Sequence, residues 1–166
     1  MQNNSFIVLG IDPGYDRCGA AIVSVSGNKE TLIHSECVLT SKSEPQEKRL
    51  AQVYDSLETL ITTYKPTHLA METLFFSVNK KTALKVAEAR GAILALCGKH
   101  NLDLMELSPQ AVKLAMTGSG NSDKKAVEKM VSLTLKIDVS KKIDDEVDAI
   151  AVAYASIGSV NQKNLK

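Results

Sequence analysis

Apolar residues fall along this chain in two patterns, short continuous runs and longer stretches that repeat every three or four positions. The run Phe6 to Leu9, within FIVLGID, suits a strand buried on both faces and therefore central in a sheet. Asp12 closes it, and Pro13 and Gly14 break the strand at once. CGAAIVSVS at Cys18 to Ser26 and TLIHSECVLT at Thr31 to Thr40 predict two more strands joined by the turn Gly27-Asn28-Lys29, an antiparallel meander with the first. Leu50, Val53, Leu57, Leu60 and Ile61 then recur at helical spacing to Tyr64, where Lys65-Pro66 ends the helix. His68 to Met71 is another short apolar run, closed by Glu72. Because it follows a helix, it is expected to lie parallel to the first strand.

Helical spacing returns from Lys80 to Lys99, with Leu84, Ala87, Gly91, Leu94 and Ala95 among its apolar positions. Asp103 to Leu107 predicts a fifth strand. Ser108 and Pro109 are cap and first residue of the next helix. After the loop Gly118-Ser119-Gly120-Asn121, Ser122 is the expected cap for a helix over Asp123 to Leu135, and Asp144 to Val160 forms the last. Three antiparallel strands, then helix, strand, helix, strand and closing helices are the plan of the ribonuclease H-like fold. The expected class is therefore α/β, a five-stranded mixed sheet of three antiparallel strands plus two parallel ones, flanked by helices. Residues 1–160 are expected to form a single domain and residues 161–166 a flexible tail.

Composition supports one real core: 166 residues, 44% of them hydrophobic. No run approaches the roughly 18 to 20 apolar residues of a membrane span, and MQNNSF lacks the plan of a signal peptide. A cytoplasmic location and no membrane partner are expected. Cys18, Cys37 and Cys97 are odd in number and widely spaced, which indicates neither a disulfide framework nor a zinc site. His34, His68 and His100 have no ligand spacing and are taken as structural.

Net charge is only +1, but it is unevenly divided. Residues 1–78 carry 6 basic and 9 acidic groups, residues 79–142 carry 12 and 6, and residues 143–166 carry 2 and 4. The basic middle segment is either an electrostatic footprint for phosphate or a set of solvated helix faces.

The carboxylates decide more. Asp12 alone reads equally well as a turn former or as a metal ligand on a rigid base. Asp145 and Asp148 share one face of the last helix's first turn. Acids favour helix N-termini, and Asp144 is expected to be only a cap. Asp148, however, is followed by Ala149, Ile150, Ala151 and Val152, and its face supplies no basic partner nearby. Glu72 ends a second buried strand. Magnesium prefers hard oxygen ligands, and two such ions activate water and stabilise the leaving oxygen in phosphodiester cleavage.

IDPG at Ile11 to Gly14, ETLF at Glu72 to Phe75, ALKVAEARG at Ala83 to Gly91, SPQAVK at Ser108 to Lys113 and the final DDEVDAIAVA resemble the RuvC family of Holliday junction resolvases. The resemblance runs from about residue 6 to residue 158. It implies a homodimer that cuts two opposed strands of four-way junction DNA symmetrically, with two Mg²⁺ per subunit, Mn²⁺ as a substitute, and the RuvA-RuvB branch-migration complex as partner. It makes Asp12, Glu72, Asp145 and Asp148 the catalytic, metal-binding acids. The segment from Tyr15 to Ala21 departs from the family pattern, Cys18 to Ala21 standing where many relatives have Thr-Gly-aromatic-Gly, which bears on local DNA contacts rather than on the reaction.

Phe75 and Phe76 follow Glu72, and exposed aromatics there can stack on unpaired bases or wedge a base step. Phe76 is expected to return to the core. Phe75, at the position that resembles the family's junction-stacking aromatic, is the expected wedge. Lys113, Lys124 and Lys125 can grip phosphate or offset developing charge, and the resemblance favours Lys113 and Lys124. Asn79, Lys80, Lys81 and Arg90 are weaker candidates for DNA-backbone contact or for the dimer interface. Two other readings remain at this point, a ribonuclease H-like nuclease acting on RNA and a non-catalytic junction-binding module.

Overall fold

The computed structural model describes residues 5–73 and 80–163. Among these, β1 (Ser5–Asp12), β2 (Arg17–Ser26), β3 (Lys29–Leu39), β4 (His68–Glu72) and β5 (Asp103–Leu107) form one sheet in the order β3-β2-β1-β4-β5. β1 to β3 pair antiparallel, whereas β1 with β4 and β4 with β5 pair parallel. The helices are α1 (Gln46–Tyr64), α2 (Lys80–Lys99), α3 (Pro109–Thr117), α4 (Lys124–Leu135) and α5 (Asp144–Lys163). This is the mixed, helix-flanked sheet expected from the alternation of elements.

β1 is central because both its faces are apolar. Phe6 and Val8 join Ala21, Val23, Val25 and Ala70 against α3, α4 and α5, while Leu9 and Ile11 join Ile22, Leu69 and Met71 against α1 and α2. Val8, Leu9 and Ile11 are fully buried, each contributing roughly 1.5–3 kcal/mol of apolar burial. The two-residue period of a strand then fixes where the acids point. Asp12 continues the even-numbered face of Phe6 and Val8, and Glu72 continues the face of Ala70. Both face α5.

α5 lies unusually close to the sheet because glycines and alanines line the crossing. A Cβ on Gly10 would stand 2.4 Å from the Ala149 carbonyl oxygen and 2.5 Å from the Ala153 Cβ, and one on Gly19 would stand 1.8 Å from the Asp145 carbonyl oxygen. Gly19 is also the strand partner of Asp12. The first turn of α5 therefore sits directly over the end of β1.

Local differences from the sequence expectation have local causes. β2 begins at Arg17 and β3 at Lys29, since Ser26 pairs with Lys29 and the turn tightens to Gly27-Asn28 with Gly27 at φ 60°. The α4 cap is Asp123, not Ser122: Asp123 Oδ1 accepts from the Ala126 amide at 2.8 Å, while the Ser122 hydroxyl lies 2.7 Å from that of Thr117. Ser108 does cap α3, accepting from the Ala111 amide at 3.1 Å. Asp144 is the first residue of α5 rather than a cap, and the helix runs on through Lys163. No helix among the described residues is long and apolar enough to cross a membrane.

Candidate active site

The carboxyl ends of β1 and β4 and the first turn of α5 meet on one side of the sheet. Ile11 lies beside Met71 in parallel register, so Asp12 and Glu72 end adjacent strands. Asp145 and Asp148 come down from α5 above them. Burial, then the charges of Asp148, Glu72 and Asp145, push the Asp12 carboxyl up to about 7, against the opposing pull of Lys124. Burial and Asp148 likewise push Glu72 up, with Lys113 and Lys124 acting the other way. All four acids are thus in electrostatic contact around Asp12.

Two cations enter this cluster from opposite sides. Lys124, at the start of α4, is 3.0 Å from Asp148 and 3.4 Å from Asp144. The sequence offered Asp148 no basic partner on its own helix, and the fold supplies one from another. Arg17 Nε, on β2, is 3.1 Å from Asp145 Oδ2. That oxygen is buried and yet accepts no hydrogen bond, because the contact has the distance of an ion pair without the angle of a hydrogen bond.

A cleft of about 210 Å³ opens beside the acids, lined by Glu72, Asp148, Lys113 and Lys124 over a floor of Pro109, Val112, Val127 and Ala151. Its mixed lining of carboxylates and ammonium groups suits a divalent cation next to a phosphate. Among the described residues no three His, Cys, Asp or Glu side chains are already gathered to hold one ion. The donor set nonetheless fits a hard cation: all carboxylate oxygens, Asp12 poorly solvated, and Asp145 Oδ2 buried without a hydrogen-bond donor.

The other predicted residues divide. Lys113 lines the cleft with Lys124, whereas Lys125 is exposed and does not. Arg90, expected at DNA or at a dimer interface, is turned inward: it pairs closely with Glu106 and donates to the Glu72 carbonyl at 3.0 Å. It ties the end of β4 to α2 and β5, so it supports the strand that carries Glu72 instead of reaching solvent. Phe75, Phe76 and Asn79 lie outside the described residues, and Lys80 and Lys81 are placed only by backbone, at the start of α2. The histidines serve the fold, His34 beside Glu36 at 2.8 Å and His100 beside Glu58 at 3.1 Å.

The segment that departs from the family pattern is tightly held. Asp16 pairs with the buried Arg49, the Thr40 hydroxyl donates to the Tyr15 carbonyl at 2.5 Å, and the Tyr15 ring has Arg49 4.9 Å and Lys85 5.2 Å from its centroid. Sequence reasoning passed over Arg17 and Gly19 as site residues. Their signal was strand parity: both are odd-numbered on β2, as are the α5-facing Ala21, Val23 and Val25.

A family model described as crossover junction endodeoxyribonuclease RuvC matches residues 8–156. The chain belongs to the RuvC family. It is 42% identical over 149 residues to the RuvC crossover junction endodeoxyribonuclease of Brachyspira hyodysenteriae, covering 90% of this chain and 92% of that one. With the corresponding enzyme of Thermosipho melanesiensis it shares 43% over 147 residues, 89% of this chain and 94% of the relative. Among solved structures it resembles Thermus thermophilus RuvC in complex with Holliday junction substrate, with a TM-score of 0.89, 30% identity and coverage of 95% of this chain and 96% of that one. A RuvC-family nuclease depends on a divalent metal, and the carboxylate cluster is the part of this chain whose chemistry answers that need.

The charge cluster makes stability pH-dependent in the metal-free protein. Asp12 ionises near 3.8 when unfolded and near 7 when folded, so between these values the folded state holds a proton that the unfolded chain has lost. The corresponding stability is full below about pH 4 and gone once pH has risen through about 7. Urea unfolding in EDTA should therefore find Asp12→Asn gaining on the wild type as pH rises from about 5 to about 8, by on the order of 2–4 kcal/mol. A pH-independent difference would contradict the cluster.

Proposed function

We propose that this chain is a crossover junction endodeoxyribonuclease that hydrolyses phosphodiester bonds of four-way DNA junctions in recombination and repair, with Asp12, Glu72, Asp145 and Asp148 as the ligands of two Mg²⁺ ions. The observation that carries the reading is the convergence of three acids on Asp12 at the end of the central strand. Nothing in the packing of the sheet requires that convergence, and it costs stability. A cation between the acids relieves it.

Bound there, the divalent ions supply an activated water and stabilisation of the leaving oxygen. The protein holds the ligand oxygens on three rigid supports, two strand ends and a helix start. Lys113 and Lys124 face the cleft where the scissile phosphate fits and offset its charge. Phe75, three positions after Glu72 in the sequence, is the proposed wedge at the junction centre, with Lys80 and Lys81 near the DNA backbone. Residues 1–160 act as a single nuclease domain. Two opposed cuts call for two copies, and an isologous dimer supplies them. The RuvA-RuvB complex is the proposed partner, and the cytoplasm the proposed location.

A synthetic four-way junction, a duplex and an RNA–DNA hybrid tested with Mg²⁺ and with EDTA check this reading. Chelation is expected to abolish junction cleavage while gel-shift binding of the junction persists, and binding should weaken steeply with salt. Cleavage that survives EDTA would remove the metal mechanism. Preference for the hybrid would move the substrate to RNA, and binding without cleavage under any divalent metal would leave only a binding module.

A further inference from the structure

Arg17 is a cation at the acid cluster that the proposed mechanism does not use. It opens β2 on the face turned toward α5, and its side chain is 55% exposed while that of its partner Asp145 is 17% exposed. Its guanidinium therefore reaches inward from the rim. The contact at 3.1 Å lacks hydrogen-bond geometry, so Asp145 is neutralised without being locked. Lys124 meets Asp148 from α4, which leaves Arg17 as the cation approaching from the β2 side.

We propose that Arg17 is a built-in counter-cation of the metal site: it stands against Asp145 in the metal-free protein, yields that carboxylate when a divalent ion is bound, and then contacts a DNA phosphate from the rim. The proposal rests on Asp145 being a metal ligand. A half-exposed arginine can make the exchange because leaving the carboxylate returns it to solvent or to phosphate, for which its planar fork is suited. Metal loading and DNA gripping are thereby coupled through one side chain. Arg17 is a positioning residue in the free protein and a substrate contact in the complex.

Mn²⁺ binding to the DNA-free full chain, followed by electron paramagnetic resonance of the free ion, tests the first half. Arg17→Gln should bind Mn²⁺ roughly two- to fivefold more tightly than wild type, the range set by losing a partly exposed ion pair, and Arg17→Lys should stay near wild type. Tighter binding shows that the Arg17 charge opposes the metal, and the exchange onto phosphate is read from DNA binding. Junction binding in Ca²⁺ tests the second half: the salt dependence of affinity for Arg17→Gln should be shallower by about one counterion. Unchanged or weaker Mn²⁺ binding, or an unchanged salt dependence, overturns the proposal. Asp145→Asn is the separate control, since Mn²⁺ affinity equal to wild type in that variant would refute the ligand set itself.

Discussion

Asp12→Asn is expected to reduce junction cleavage by about a thousandfold or more while leaving the fold and junction binding intact. The amide is nearly isosteric, so the end of β1 has no reason to move. What is lost is the charged oxygen proposed as a metal ligand at the centre of the cluster, and metal stabilisation of a phosphoryl transition state supplies several kcal/mol, where about 4 kcal/mol corresponds to roughly three orders of magnitude in rate. Single-turnover cleavage of a labelled junction in Mg²⁺ gives the rate, and gel shift in Ca²⁺ gives the affinity. Cleavage within about tenfold of wild type would displace Asp12 from its central role.

Gly19→Ala is expected to cost activity almost as severely, by a different route. Its Cβ would fall 1.8 Å from the carbonyl oxygen of Asp145, a backbone atom that cannot rotate away. The start of α5 must lift, or β2 must sink, by more than about 1 Å to restore ordinary contact. Overpacking of this kind costs about 1–3 kcal/mol of stability, and a misplacement of about 1 Å in a reacting geometry costs about a hundredfold in rate. Because Asp145 and Asp148 travel with that turn, activity should fall further than the urea midpoint alone explains. Gly158→Ala is the control on the same helix: nothing lies within 4 Å of its added Cβ, and helix propensity should make it neutral or slightly stabilising. Equal behaviour of the two alanines would mean that the close approach of α5 to Gly19 is unimportant.

Much of the fold was legible because its signals are local. The unbroken run from Phe6 to Leu9 marked a strand covered on both faces, and both faces are covered. The spacing of Val53, Leu57, Leu60 and Ile61 marked the buried stripe of α1, and Lys65, left-handed at φ 51°, ends it before Pro66. Where the reading slipped by a residue, as at the α4 cap, two neighbouring hydrogen-bonding side chains competed and the partner of Ser122 came from α3. The acids were legible as candidates because each stands where an apolar element begins or ends.

Arg90 shows the opposite limit. Its sequence reads as a weaker candidate for DNA-backbone contact or for a dimer interface, and only the position of the Glu72 carbonyl and of Glu106 makes it a tie within the fold. Lys124 and Asp148 are likewise 24 positions apart, and no periodicity connects them.

The sequence by itself determined the elements, their order, the buried central strand and the carboxylates that stand where apolar elements begin or end. Those follow from runs, periods and breakers within some twenty residues of one another. Only the tertiary structure decided how close α5 comes to β1 and β2, that Arg17 and Lys124 are the cations set against Asp145 and Asp148, and that Arg90 braces β4. These contacts join residues on different elements, and they depend on the Cβ that a glycine lacks and on the pairs that a helix crossing brings together, which no local pattern encodes.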